Sequence, residues 1–246
     1  MKLLQSYIIE RLQLNQDRVR KIKYEYSPKT KQELESIIHK ITKKHKNDKI
    51  IDLNMIDTSK ITDMSKLFYD SQYNYNISEW NVSHVEDMSQ MFEHSKFNGD
   101  ISNWDVSNVE KMEAMFGASK FNKDISKWNV SRVKNMKDMF HASIFNQDIS
   151  QWDVSRVEDM YYMFAESNFN KDISKWNVSK VKNMNNMFVF SKFNQDISQW
   201  DVSNVEDMTH MFLLSTFDKD LTPWVDKLNN KYKEDLLKNI KKYIKV

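Results

Sequence analysis

Seven tryptophans, Trp80, Trp104, Trp128, Trp152, Trp176, Trp200 and Trp224, follow one another at 24 residues with no insertion. A unit that short cannot bury an apolar face by itself. The spacing therefore restricts the chain to architectures in which one small rung stacks on copies of itself. Residues Ser95 to Phe116 carry the unit in full: Ser-Lys-Phe-Asn-Gly-Asp-Ile-Ser-Asn-Trp-Asp-Val-Ser-Asn-Val-Glu-Lys-Met-Glu-Ala-Met-Phe.

Each column of the repeat has a physical reading. Ser107 with Glu110 has the spacing of a capping box, repeated at Ser83/Glu86, Ser155/Glu158 and Ser203/Glu206, and predicts a helix start in each case. Val109, Met112, Met115 and Phe116 then fall on one helical face. Ser119 heads a turn, Asp124 to Ser126 is the expected strand, and Phe121, Ile125, Trp128 and Val130 point inward. Each rung is thus predicted to be a strand, a turn, a short helix and a return, forming a parallel sheet along one side of a curved rod. Like side chains should stack about 4.8 Å apart on the strand side. A buried tryptophan covers ~150–250 Å², an upper estimate of ~4–6 kcal/mol each.

Three segments are expected. Residues 1–49 form a basic N-terminal segment with a cap helix, 50–225 the repeat array, and 226–246 an amphipathic C-terminal cap helix. Residues 50–64 are a degenerate half-repeat with Ile56 in the tryptophan column. In the first segment, Met1, Leu4, Ile8 and Leu12 have helical spacing, Ile22, Tyr24 and Tyr26 alternate like a strand, and Thr30 with Glu33 opens a helix bearing Leu34, Ile37, Ile38 and Ile41. In the last, Tyr232, Leu236, Leu237, Ile240, Tyr243 and Ile244 share a face. Formal charge is +7 over residues 1–50, −10 over 51–226 and +5 over 227–246. The basic ends raise nucleic acid or anionic membrane as partners, but solvation of the cap surfaces is favoured. No signal peptide or membrane-spanning segment is read, which favours a cytoplasmic or virion-associated site over classical secretion.

Cysteine is absent and there are only two glycines, Gly99 and Gly117. Disulfides, thiolate metal sites, a P-loop and a dinucleotide fingerprint are thereby excluded. The six histidines form no metal-ligand spacing, and the serine columns have no companion base, so turn formation is favoured over nucleophilic catalysis. No catalytic residue, cofactor or metal is expected. The column Asp100, Asp124, Asp148, Asp172, Asp196 and Asp220 has two readings. Its carboxylates cap their own turns, or they share cations; capping is favoured because the glycine-rich wording of calcium-binding repeats is missing. The column Asn98, Asn122, Asn146, Asn170 and Asn194 is expected to form an amide ladder. A 48-residue period alternates Lys134, Glu158, Lys182 and Glu206, through avoidance of stacked like charge or through duplication of a two-rung unit.

Variation between rungs concentrates beside the Met-Phe pair, and variable positions on a rigid frame are where recognition sits. Tyr161, Tyr162, Val189, Phe190, Leu213 and Leu214 are the candidate partner-binding residues. Exposed together they would form an apolar patch; packed under the C-terminal helix they would belong to the cap.

The wording F-N-x-D-I-S-x-W-[DN]-V-S-x-V-x-x-M-x-x-M-F resembles the repeat of BspA-like leucine-rich-repeat surface proteins, including the mycoplasma-type lipoprotein repeat, over about residues 50 to 225. The resemblance implies an α/β, leucine-rich-repeat-like solenoid used in adhesion or host interaction, a non-enzymatic scaffold whose partner is a protein or a surface glycan. The alternative is a structural spacer or virion-associated assembly component. Many relatives carry an export signal or a lipid-attachment cysteine, neither of which is read here.

Overall fold

A computed structural model describes residues 24–228 and 233–244. The expected helix over residues 1–14, and Ile22, Tyr232 and Leu236, lie outside the described backbone or side chains. Helix α1, Lys31–Lys44, starts as the sequence predicts. Thr30 Oγ1 accepts from Glu33 N–H at 3.2 Å; the Glu33 carboxylate reaches back one residue further than in a capping box, to Lys29 N–H at 2.7 Å. Leu34, Ile38 and Ile41 are buried and Ile37 packs at the margin of the core. Before it, Tyr26 bridges in parallel to Ile56.

Strands β1, Ile51–Asp52, and β2, Tyr75–Asn76, pair in parallel with Ile51 opposite Tyr75. This pairing stops at Gly99, where a Cβ would lie 2.7 Å from the Tyr75 carbonyl oxygen. Beyond it the rungs contain neither the expected strand at Asp124–Ser126 nor the expected helix after Ser107. Each is a sequence of turns, joined to its neighbours by single parallel bridges through Asp63, Asp87, Lys111, Asn135, Asp159, Asn183 and Asp207, each 24 residues from the next.

The corners of a rung are closed by side chains. Ser119 Oγ accepts from Phe121 N–H at 3.3 Å, Asp124 Oδ1 from Ser126 N–H at 2.8 Å, Asn129 Oδ1 from Ser131 N–H at 3.2 Å, and Asn135 Oδ1 from Lys137 N–H at 2.9 Å. Short polar side chains that bond the backbone two residues on fix a turn locally. These columns recur every 24 residues for that reason. They also explain why no capping box forms. Ser107 donates its N–H to Asp105 Oδ1 at 3.1 Å, Val109 N–H turns back to Val106, and Glu110 N–H is taken by the Glu86 carbonyl of the preceding rung at 2.9 Å.

The Met-Phe segment forms the main cross-rung ladder. N–H groups of Met112, Ala114, Phe116 and Ala118 donate to the carbonyls of Asn135, Lys137, Met139 and His141 at 2.7–3.2 Å, while Met115, Gly117 and Ser119 close turns onto Met112, Ala114 and Phe116. Two apolar turns in succession bury Met112, Met115 and Phe116 at a spacing that mimics a helical stripe. All four inter-rung donors point toward the C-terminal end. Elsewhere in the rung the sense reverses: Glu110 and Lys134 N–H donate to the Glu86 and Glu110 carbonyls, and Asn122 N–H donates to Asn98 Oδ1 at 3.0 Å. The asparagine column is therefore a ladder from backbone N–H to side-chain oxygen, not from amide to amide.

Inside, the apolar columns stack in register. Phe92, Phe116, Phe140, Phe164, Phe188 and Phe212 follow at ring-centroid distances of 5.6–5.8 Å with planes within 8°. Phe97 through Phe217 form a second column at 6.0–6.4 Å. These distances exceed 4.8 Å because rings stack offset. Each tryptophan Nε1 donates to a carbonyl 27 residues back, Trp152 to Ile125 at 3.1 Å, so the one polar atom of each buried indole is bonded. At the C-terminal end, α2, Lys233–Ile240, leads to Tyr243, whose ring stands edge-on to Phe212 and Phe217 at 5.2 and 5.3 Å and terminates both columns.

Candidate functional site

The variable pairs lie on the outer side of the Met-Phe ladder. The third residue of the Met112–Met115 turn, Ala114, and the residue four on, Ala118, have φ of 51° and 49°, and every rung from Lys66 to Leu214 repeats this at non-glycine positions. Positive φ at such a turn position ordinarily selects glycine or asparagine. Here the stack imposes it, because only that conformation sends the alternate N–H groups to the next rung while Met and Phe stay inside. The side chains of the second positive-φ column, among them His94, Ala142, Glu166, Phe190 and Leu214, are left outward, and this is the geometric origin of the variable face.

Along that face the character changes. Near the first rungs it is polar, with Gln90 bonded to Glu93 at 2.7 Å. In the middle, His141 lies 3.9 Å from Asp138 and 3.8 Å from Glu166. Burial pushes the Asp138 carboxyl above its ordinary pKa, against the pull of His141 and Lys137. Toward the C-terminal end it becomes apolar.

The six candidate residues separate into three groups. Phe190, Leu213 and Leu214 are 55%, 43% and 67% exposed and belong to adjacent rungs, with Phe190 N–H donating to the Leu213 carbonyl at 2.9 Å. Tyr161 and Tyr162 are half-buried, their rings 4.4 Å apart. Lys137 Nζ lies 5.5 Å from the Tyr161 centroid, and His141 meets Tyr162 edge-on at 5.7 Å. Val189 departs from expectation: at 4% exposure it is core, as Ala165 is one rung earlier, although Leu213 one rung on in the same column is exposed, and it offers nothing to a partner. Leu213 also lines a pocket of about 620 Å³ with Lys241, Lys242 and Tyr243, so it borders the C-terminal cap as well as the patch.

Sequence reading missed Tyr69, which is 47% exposed and stands edge-on to His94 at 5.8 Å. The signal was available, since Tyr69 follows Leu67-Phe68 at the offset by which Leu213 follows Met211-Phe212.

The aspartate column is bonded as its turn-capping reading predicts. Asp100, Asp124, Asp148, Asp172, Asp196 and Asp220 accept from the N–H two residues on at 2.8–3.0 Å. That N–H holds the carboxyls of Asp100, Asp124, Asp148 and Asp172 below their ordinary range. On the same side of the charge alternation, Lys134 meets Glu110 and Lys182 meets Glu158, both at 2.8 Å across one rung step. Among the described residues no group of three His, Asp or Glu side chains is arranged to hold a metal ion, and no helix is long and apolar enough to cross a membrane.

Comparison with curated proteins and with solved structures returned no match in either case. A family model described as "Mycoplasma protein of unknown function, DUF285" matches residues 33–146 and again 141–243. The two matches overlap at residues 141–146, where the Trp128 rung passes into the Trp152 rung, and together cover most of the chain, and so the protein belongs to this mycoplasma-type repeat family.

Proposed function

We propose that the chain is a solenoid of the BspA-like leucine-rich-repeat type and acts as a non-enzymatic scaffold that binds a protein partner through its C-terminal rungs. The observation that carries this reading is the contiguous exposure of Phe190, Leu213 and Leu214 on a frame whose other large apolar side chains are almost all buried. A patch of that kind needs covering. Leucine and phenylalanine have no groups that bond sugar hydroxyls, which favours protein over glycan. The engagement of column serines in turns, such as Ser95 Oγ accepting from Phe97 N–H, supports a structural use of these hydroxyls over a nucleophilic one.

The test is capture of surface proteins by the immobilised chain, compared with the triple variant Phe190→Ser, Leu213→Ser, Leu214→Ser and with Glu206→Gln as control. A defined protein retained by the parent and the control and lost by the triple variant is the expected result. Equal retention by the triple variant would contradict the patch as the binding surface and leave the array as a spacer.

A further inference from the structure

We propose that the N-terminal end of the stack holds a site for an organic cation, an alkylammonium or guanidinium group. The Met-Phe ladder runs one way. Because each rung receives its N–H groups from the rung before it, the first rung has carbonyls with nothing to receive: among the described residues, no N–H reaches the carbonyl oxygens of Ser65, Leu67 and Tyr69. This end of the ladder presents acceptors only, and backbone acceptors without a protein partner are ready to take a donor from a ligand.

One part of this edge already has a cation. Lys31, from the first turn of α1, places Nζ 2.6 Å from Ser65 Oγ and 3.2 Å from Asp63 Oδ1. Further along the same edge, α1 and the first rung leave a groove of about 400 Å³ lined by Glu35, Thr42, Leu67, Tyr69, Asp70 and Tyr73 among others, with no lysine or arginine in its wall. Two carboxylates therefore line the groove with His39 as the one basic residue of its wall; Asp70 Oδ1 accepts from the neutral Gln72 amide at 3.3 Å. Thr42 Oγ1 is the one buried side-chain polar atom without a hydrogen-bond partner among the described residues. Tyr69 and Tyr73 add ring faces that attract a cation. Acceptors, negative charge and aromatic walls together fit a multi-donor cation and disfavour an anion or an uncharged apolar group.

The cation has two sources, a free polyamine or a basic side chain of a polypeptide, and calorimetric titration of the full chain separates them. The probes are spermidine, acetyl-Gly-Arg-Gly-amide and, as the uncharged control, acetyl-Gly-norleucine-Gly-amide. Saturable binding of either charged probe, weakened at least about tenfold by Glu35→Gln with Asp70→Asn and weakened by added salt, is the expected result. Spermidine alone points to a free polyamine and the arginine peptide alone to a basic segment of a partner. Glu35→Gln alone, an exposed change on α1, gives a reading that does not depend on the double variant folding. Failure of both charged probes to saturate, equal binding of the norleucine peptide, or unchanged affinity in the variants would overturn the proposal. None of these outcomes bears on the C-terminal patch.

Discussion

Trp152 ties two rungs together in two ways: its ring packs against Phe140 at 6.3 Å and its Nε1 supplies the Ile125 carbonyl. Trp152→Ala removes both and is expected to cost ~3–5 kcal/mol through the cavity left behind. Trp152→Phe keeps most of the ring and abandons a buried acceptor, an expected loss of ~1–3 kcal/mol. Urea unfolding of the two variants measures the difference, and a loss for Trp152→Ala within the ~0.5 kcal/mol of an ordinary surface change would show that the column is not core. Backbone strain can be tested by a second pair. Ala142 has φ of 50°, a conformation that costs an L-residue ~1–2 kcal/mol, against ~0.5–1 kcal/mol for the freedom glycine loses on folding. Ala142→Gly should leave stability unchanged or raise it by up to about 1.5 kcal/mol, whereas Ala165→Gly, at a buried position without positive φ, should lower it. Equal losses at both sites would contradict the left-handed assignment.

At the level of the turn, stability should depend on pH in a defined direction. The carboxyls of Asp100, Asp124, Asp148 and Asp172 titrate lower folded than unfolded, so their contribution is fully present above the unfolded value near 4. It is lost as pH falls through the lower folded value. The melting midpoint should be flat on this account above pH about 5 and fall below about 4. Asp148→Asn keeps an Oδ1 acceptor for Ser150 but no longer titrates, and should make the fall shallower; an unchanged acid limb would refute the turn-capping role. These corners were legible in the sequence because Asp, Asn and Ser bond their own backbone and need no distant partner. The Met-Phe segment was not legible. Its apolar spacing fits a helix, and the turns that form instead require positive φ at Ala114, Asp138 and Tyr162, residues that give no glycine signal. What decides between helix and turns is the pair of neighbouring rungs: the preceding one takes the Glu110 N–H and the following one receives those of Met112 and Ala114. For the same reason the variable pairs could be found from sequence, but the burial of Val189 beside exposed Phe190 could not.

Across the whole molecule, the stack is a polar object. Aromatic columns run through it without interruption until Tyr243 closes them, the Met-Phe ladder sends every inter-rung donor one way, and the variable face follows from that ladder. Acceptors collect at the N-terminal end and the apolar patch lies at the other. The ladder is the claim on which both functional proposals depend, and scalar couplings across hydrogen bonds test it directly. In the deuterated, labelled chain, couplings are expected from the nitrogens of Met136, Asp138, Phe140 and Ala142 to the carbonyl carbons of Asp159, Tyr161, Met163 and Ala165. Coupling from Phe140 nitrogen to the Met136 carbonyl carbon, four residues back as in a helix, with none to Met163, would contradict it.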